Sequence, residues 1–541
     1  MRSATPKMLH AIGGRTLLGH VMTAATELSP QHVAVVVRHE RELVATAALE
    51  LDPTALVVDQ DEIPGTGRAV QCALDALDAR AHAGRAAALA HADDLHDEHL
   101  DGGEHPLGDG LDGAVVVLAG DIPLLDGATL AELLAAHHAD GNAVTILTTE
   151  VEDATGYGRI VRETGSGDVL AIVEHKDATP EQRAIREINS SVYVFDAAVL
   201  RRGLAGLGTD NAQGEVYLTD VVESARAEGG AVRAVLSDDP MLVEGVNDRV
   251  ALATLGAELN RRVLVEWMQA GVTVVDPATT WVDVDVELAP DVTLLPGTQL
   301  HGATKVESGA TIGPDTTLRD VEVGPGATVV RTHGSLSVIG PHASVGPFAY
   351  LRPGTELATK GKIGTFVETK NAQIGEGSKV PHLSYVGDAT IGEHTNIGAA
   401  SVTVNYDGVK KHRTVIGSYA KTGADNMFVA PVSVGDGAYT AAGSVIVKDV
   451  PAGALGVARS QQRNIEGWVD RRWPGTPAAE AAARAGAAGS ASADQQLGAQ
   501  AQQQLAAHNA LTGAIPVVPP ADDATAPAGD SSDPTEGSTQ R

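Results

Sequence analysis

From about residue 290 to 455 an aliphatic residue followed by glycine keeps returning. Ile-Gly stands at 312, 339, 363, 374, 391, 397 and 416, and Val-Gly at 323, 345, 386 and 434. Much of the spacing is six residues. Ile391 and Ile397 are one period apart, and Ile416, Thr422, Phe428, Val434, Thr440 and Ile446 continue it unbroken. No helix or single sheet repeats at six. The period predicts a parallel β-helix of hexapeptide repeats, in which each coil has three short faces and each face sends one side chain into a narrow core. One coil cannot bury its own apolar edge, so the coils must stack.

The first 250 residues read differently. "HVAVVVR" (32–38), "AVVVLAGD" (114–121) and "NAVTILTTE" (142–150) read as buried strands, whereas 16–28 and 68–80 read as helices. This alternation predicts a parallel sheet flanked by helices. Ligands of such sheets sit at the carboxyl ends of the strands, where "AVVVLAGD" places Asp121; an Asp after a strand can equally serve as a helix N-cap. Residues 81–113 hold five histidines among Gly and Asp in no metal-ligand spacing, and read as a solvated loop. A helix over 249–271 joins the two regions. After about 474 the chain turns to Ala, Gln, Pro, Ser and Asp, a composition that predicts an unfolded tail.

The formal net charge of −31 argues against nucleic acid or a membrane surface as partner, since both call for clustered Lys and Arg. No apolar run reaches the ~18 residues of a membrane span, and Lys7, His10 and Arg15 break any signal-peptide core. Cys72 is the only cysteine, which fits a reducing, cytoplasmic setting; on a helix face it reads as packing.

Seven stretches of the first region ("PKMLH", "PGTGRAV", "LAGDIPLL", "GYGRIVRE", "VEHKDAT", "DNAQGEVYLTD", "VEGVNDR") and five of the second ("LRPGTEL", "FVETKNAQIGEGSK", "HLSYVGDATIGEHTNIGA", "NYDGVKKHRT", "FVAPVSVGDGAY") occur in order. Together they resemble the bacterial bifunctional N-acetylglucosamine-1-phosphate uridylyltransferase / glucosamine-1-phosphate acetyltransferase family. The resemblance covers residues 1 to about 470. It implies a Rossmann-like α/β nucleotidyltransferase domain over 1–248, a linker helix over 249–271, an acetyltransferase domain over 272–473 whose β-helix is left-handed, and a tail over 474–541. It also implies a homotrimer that supplies UDP-N-acetylglucosamine for peptidoglycan and other cell-envelope polymers. The family opens with a strand ending in Leu-Ala-Ala-Gly-x-Gly-Thr-Arg-Met ahead of Pro-Lys. Met1 falls where that last Met belongs, so the expectation is that a strand and a Gly-rich phosphate loop lie upstream. An acetyltransferase with an inactive first domain is the alternative reading; a noncatalytic scaffold is opposed by the site residues below.

For uridylyl transfer from UTP, the resemblance implies that Asp121 and Asn247 ligate Mg²⁺, an ion suited to carboxylate and amide oxygens. Lys7 matches a phosphate contact, Gln60, Gly65 and Thr66 the uracil contacts, and Gly158, Glu174, Asn189 and Asn247 the UDP-sugar positions. For acetyl transfer from acetyl-CoA an amine must lose a proton before it attacks the thioester, work suited to a histidine, and His382 matches the family's base. Arg352, Lys370 and Lys411 match cations for the sugar phosphate, Tyr385, Asn396, Asn405 and Tyr406 the sugar contacts, and Ala424, Ala442 and Arg459 the acetyl-CoA positions. The family commonly has Ser where Ala424 stands; a backbone N–H role survives that change and a hydroxyl role does not.

Overall fold

Val192 and Val194 are buried against one face of a sheet, and Tyr193 and Phe195 against the other. A strand apolar on both faces needs helices on both, and that alternation organises the first domain. The computed structural model describes residues 2–93 and 110–488. In chain order the first domain runs β1 (Ala11–Ile12), β2 (Arg15–Thr16), α1 (Leu17–Thr26), β3 (Ala34–Val37), α2 (Arg41–Leu51), β4 (Leu56–Asp59), α3 (Thr66–Asp93), β5 (Ala114–Val117), α4 (Gly127–Ala139), β6 (Val144–Glu150), β7 (Arg159–Arg162), β8 (Val169–Val173), α5 (Pro180–Arg183), β9 (Glu187–Asp196), α6 (Ala197–Ala205), α7 (Asp220–Ala227) and β10 (Val232–Ser237). One core packs Leu74 of α3, Leu200 of α6 and Val221 of α7 on the sheet. A second packs Val21 of α1 and Leu130 and Leu133 of α4 on its other side.

The expected all-parallel sheet is corrected. β10 and β6 are parallel, but the long β9 runs antiparallel to β6, to β7 and to β5. β3 and β4 form a separate parallel pair. The expected loop over 81–113 is corrected in its first part, because α3 continues to Asp93; residues 94–109 lie outside the described residues.

Helix α8 (Arg249–Gln269) starts where Asp248 accepts hydrogen bonds from the Val250 and Ala251 amides, each at 2.8 Å. It packs in both directions. Leu255 joins Ile12, Leu17 and Val246, while Val263 and Leu264 enter the β-helix core.

In the β-helix the coils pair in parallel register, and three inward rows appear. Leu294, Ile312, Val329, Val345, Ile363 and Val380 stack in one. Leu300, Leu318, Gly334 and Leu351 begin the second, and Val306, Val323, Ile339, Leu357, Ile374, Ile391, Ile416 and Val434 form the third. The six residues of the unbroken period, Ile416 to Ile446, are all buried. Two of them are threonines, and their buried hydroxyls are satisfied: Thr422 Oγ1 accepts from the Gly398 amide at 2.8 Å and Thr440 Oγ1 from the Gly423 amide at 3.1 Å.

The described residues fall into two compact units, the first ending at Arg459 and the second beginning at Ser460. The second holds α9 (Trp468–Arg472) and α10 (Pro477–Ala488). Pro477–Ala488 is therefore helical where the sequence reads as tail, and the remainder of that tail, 489–541, lies outside the described residues. Among the described residues no helix is long and apolar enough to cross a membrane.

Candidate active sites

β5 ends at Val117, and four residues on, Asp121 stands in the loop before α4. The loop is pinned by the Asp121 carbonyl, which accepts from the Val246 amide at 2.9 Å. That bond brings Asn247 beside Asp121. Lys7 closes the group: its ammonium pairs with Asp121 Oδ2 and donates to Asn247 Oδ1 at 3.0 Å. Three sequence-predicted residues, far apart in the chain, thus meet with two hard oxygens aimed at one cation. That donor set suits Mg²⁺. Among the described residues no group of three or more His, Cys, Asp or Glu could hold a metal alone, so water and substrate oxygens would complete the shell of such an ion.

Gln60, Gly65 and Thr66 form one loop. Gln60 Nε2 donates to the carbonyls of Ile63 (3.0 Å) and Gly65 (3.1 Å). Gly65 has φ +121°, and a Cβ there would lie 2.2 Å from the Val216 carbonyl oxygen, so only glycine fits. Thr66 Oγ1 accepts from the Leu218 amide at 3.4 Å.

Three of the four UDP-sugar positions, Gly158, Glu174 and Asn189, also converge, while Asn247 stands with Asp121. A Cβ on Gly158 would be 3.4 Å from Asn189 Cβ and 3.6 Å from Glu174 Oε1. Burial pushes the Glu174 carboxyl above its ordinary range; a hydrogen bond from Thr219 (3.3 Å) opposes this, and Asp177 and Asp220 add to it. Asn189 Nδ2 donates to Tyr193 Oη at 2.6 Å. Sequence reasoning missed two neighbours. Tyr157 has its phenol pushed up by burial and by the Glu244 and Asp121 charges. Buried Arg159 donates to the Tyr157 carbonyl and so positions the turn that carries Gly158.

In the β-helix the predicted residues fall on two faces. On the first, Lys379 pairs with Asn396, Asn396 with Lys421, and Lys421 with Tyr439, all parallel. Three residues along the same register stand His382, Ala399, Ala424 and Ala442, one coil above another. His382 is exposed, and among the described residues its ring makes no hydrogen bond or ion pair. Among the described residues the backbone N–H groups of Ala399, Ala424 and Ala442 donate to no protein acceptor, although the amides around them are engaged: Ala400 to His382, Asp425 to Ala399 and Gly443 to Ala424. At ~4.8 Å per coil this column runs about 14 Å from His382. It ends near Arg459, whose Cδ lies 3.7 Å from where a Cβ on Gly443 would be. Ala399 was not legible in the sequence, because a free N–H leaves no side-chain signature. Asn396 stands in an exposed row with Lys362, Lys379 and Lys421; those three lysines were missed, because the spacing of the row breaks where the chain leaves the coil at 405–413.

On the second face the cations gather. Arg352 Nη1 donates to Glu368 Oε1 at 2.8 Å, a bond that raises the Arg352 pKa. Lys370 adjoins Lys411, and its hydrogen bond and charge push the Lys411 ammonium below its ordinary range. Asp388 stands among them. Burial pushes its carboxyl up, but hydrogen bonds from Asn371 (2.7 Å) and Asn405 and the charges of Lys370 and Lys411 bring it below the usual range. Asn405 Nδ2 also reaches Tyr385 Oη at 3.4 Å. Tyr406 bridges Lys411 through the backbone, and its hydroxyl donates to Gly408 at 2.6 Å. Among the described residues no hydrogen bond or ion pair joins this group to His382.

An α/β domain with a cation-binding pair at a strand end, continued by a β-helix with an exposed histidine and a cationic cluster, defines a two-site transferase. A family profile, the MobA-like NTP transferase domain, matches residues 1–187. Similar chains include the "bifunctional protein GlmU" of Pseudarthrobacter chlorophenolicus (60% identical over 89% of this chain and 92% of that relative), of Kineococcus radiotolerans (59%, over 90% and 92%) and of Streptomyces avermitilis (56%, over 89% and 94%). The chain belongs to this bifunctional GlmU family. It is an enzyme of UDP-N-acetylglucosamine synthesis, with uridylyltransferase and acetyltransferase activities in one polypeptide; the acetyltransferase-only alternative is not favoured.

Proposed function

We propose how the two sites divide this work. The observation that carries the reading is the column from His382 to Arg459, an apolar track with free N–H groups that suits the extended arm of acetyl-CoA. His382 takes the proton from the amine of glucosamine-1-phosphate as nitrogen attacks the acetyl carbonyl; the C–N bond forms, the C–S bond breaks and the thiol of CoA leaves. The N–H of Ala424 is placed to hold the thioester oxygen, a hydrogen bond that strengthens as charge develops. Arg459 faces the phosphates of CoA. Arg352, Lys370 and Lys411 hold the sugar phosphate, and Tyr385, Asn396, Asn405 and Tyr406 orient the ring.

In the first domain a phosphate oxygen of N-acetylglucosamine-1-phosphate displaces pyrophosphate from UTP. No protein nucleophile is needed, so catalysis is positioning and charge neutralisation. Mg²⁺ held by Asp121 and Asn247 would supply that neutralisation, as charge on the nucleotide's phosphates. Lys7 contacts phosphate, Gln60, Gly65 and Thr66 contact uracil, and Gly158, Glu174 and Asn189 hold the N-acetyl sugar. The protein works in the cytoplasm, where its substrates are made, and feeds cell-wall assembly.

The test is the full chain with acetyl-CoA, glucosamine-1-phosphate, UTP and Mg²⁺, with CoA and pyrophosphate read separately. Both products should appear; failure of either half-reaction overturns the assignment of that domain.

The same faces support a homotrimer. His382 and the cation cluster lie on adjacent faces, with an exposed apolar corner between them: Phe348 stacked on Phe366 with ring centroids 5.3 Å apart, and then Leu383. Packing that corner around a threefold axis hides it and sets one protomer's cations opposite another's histidine. Phe366→Asp should therefore yield monomers in light scattering and lower acetyl transfer at least tenfold, with uridylyl transfer unchanged. A trimer with full acetyl transfer contradicts the arrangement.

A further inference from the structure

Where the two domains join there is a cavity of about 280 Å³ that neither reaction uses. Its walls come from three directions: Gly13 in the turn between β1 and β2, Asn260 of α8, and Trp281, Asp283, Gln299 and His301 of the first β-helix coils. The junction itself is fixed, since the Gly13 carbonyl accepts from the Val284 amide at 2.9 Å. Asn260 is fixed as well, donating to the Thr280 carbonyl at 2.8 Å and accepting from the Val282 amide at 3.0 Å.

The remaining polar groups are unused. Asp283 Oδ2 accepts from the Gly302 amide (3.0 Å) and lies 3.3 Å from His301 Nδ1, and among the described residues Asp283 Oδ1 has no protein donor. The side-chain amide of Gln299, His301 Nε2 and Trp281 Nε1 likewise carry no protein hydrogen bond among the described residues; the Gln299 backbone N–H is engaged, donating to the Thr316 carbonyl at 2.8 Å. Trp281 and Gln299 are register neighbours in one outward row, and Trp281 is 43% exposed. An aromatic face beside mixed donors and acceptors, in a concave site, is the arrangement of a small-ligand pocket.

Size and charge select the ligand. Pockets for drug-sized molecules span ~300–1,000 Å³, so this one holds a single ring and not a nucleotide. No Lys or Arg lines it and a carboxylate does, which disfavours phosphate. We propose that the cavity binds an unphosphorylated monosaccharide, its C–H face on Trp281 and its hydroxyl or amide groups on Asp283, Gln299 and His301. An occupant touching hairpin, helix and coil together would tighten the junction of the two domains. The substrates and product of both reactions carry phosphate, so this site is separate from either active site.

The test uses the full chain and N-acetylglucosamine as probe, followed by calorimetry and thermal unfolding. Expected is millimolar binding and a rise in Tm with probe concentration. Trp281→Ala should weaken binding at least tenfold, and Trp281→Phe should keep most of it. Gln299→Leu is the second variant should Trp281→Ala fold poorly. Glu174→Gln should leave the binding in place, which separates it from the uridylyl sugar site. N-acetylglucosamine-1-phosphate should not compete. Identical isotherms for wild type and Trp281→Ala, loss in Glu174→Gln, or no Tm shift at tens of millimolar probe overturns the site.

Discussion

His382→Ala should lower kcat/KM for acetyl transfer by roughly 10²–10⁴, the worth of a positioned general base, and leave uridylyl transfer unchanged. A structural explanation of such a loss is closed off by the surroundings of the residue. The ring is exposed and among the described residues makes no hydrogen bond or ion pair, and what holds the coil is the His382 carbonyl, which accepts from Ser384 Oγ (2.7 Å) and the Ala400 amide (3.3 Å). Both bonds survive truncation of the side chain. Stability should therefore move by no more than about 0.5 kcal/mol, as for other surface changes. The deficit should also shrink as pH rises, because a substrate amine that is already deprotonated no longer needs a base. Near-wild-type acetylation by the variant at neutral pH would falsify the assignment. A constant deficit at all pH values would show that His382 positions substrate and moves no proton.

The β-helix was legible because its core is one residue wide. Each coil gives that core one position per face, and the off-type positions still fit: Thr422 and Thr440 occupy their slots with satisfied hydroxyls, and at Gly334 the Leu318 side chain lies 3.1 Å from where a Cβ would be. The direction of β9 was not legible. A strand buried on both faces shows the same apolar run whether its neighbours are parallel or antiparallel. Pro477–Ala488 was misread because composition was weighed over the whole tail. A Pro at the first helical position followed by an Ala-rich run is locally a good helix. In the sites, the motifs supplied Lys7, Asp121 and Asn247, but only folding shows that all three share one point. The alanine column was half legible: Ala424 and Ala442 came through motifs, whereas Ala399 offers only a backbone N–H, which no residue type announces. The two-face split of the acetyltransferase residues could not be read from spacing, since His382 and Tyr385 are three residues apart with a coil corner between them.

Asp121→Ala should abolish uridylyl transfer, lowering kcat by roughly 10³ or more. A metal's stabilisation of phosphoryl charge is worth several kcal/mol, and each 1.36 kcal/mol is tenfold in rate. Asp121 would give that metal its one charged protein ligand, with Asn247 adding only an amide oxygen. The substitution also strands Lys7. In the structure its ammonium is shared between Asp121 and Asn247, so in the variant it keeps a single neutral acceptor and is no longer held beside the phosphates. The fold should survive. The Lys7–Asp121 pair is partly exposed, and such pairs contribute about 0–1 kcal/mol, while the bond that pins the loop comes from the Asp121 backbone carbonyl. Acetyl transfer, read as CoA release, should be unaltered, because the β-helix coils do not depend on this loop. Asp121→Asn separates charge from shape: it keeps an oxygen for the metal and for Lys7, so part of the activity should return at high Mg²⁺, with the half-saturating Mg²⁺ concentration raised at least tenfold. Lys7→Ala should instead weaken UTP binding with little change in that Mg²⁺ requirement. Wild-type uridylyl transfer by Asp121→Ala at limiting Mg²⁺ would mean that the metal is held elsewhere and that the Lys7–Asp121–Asn247 group is a structural clasp.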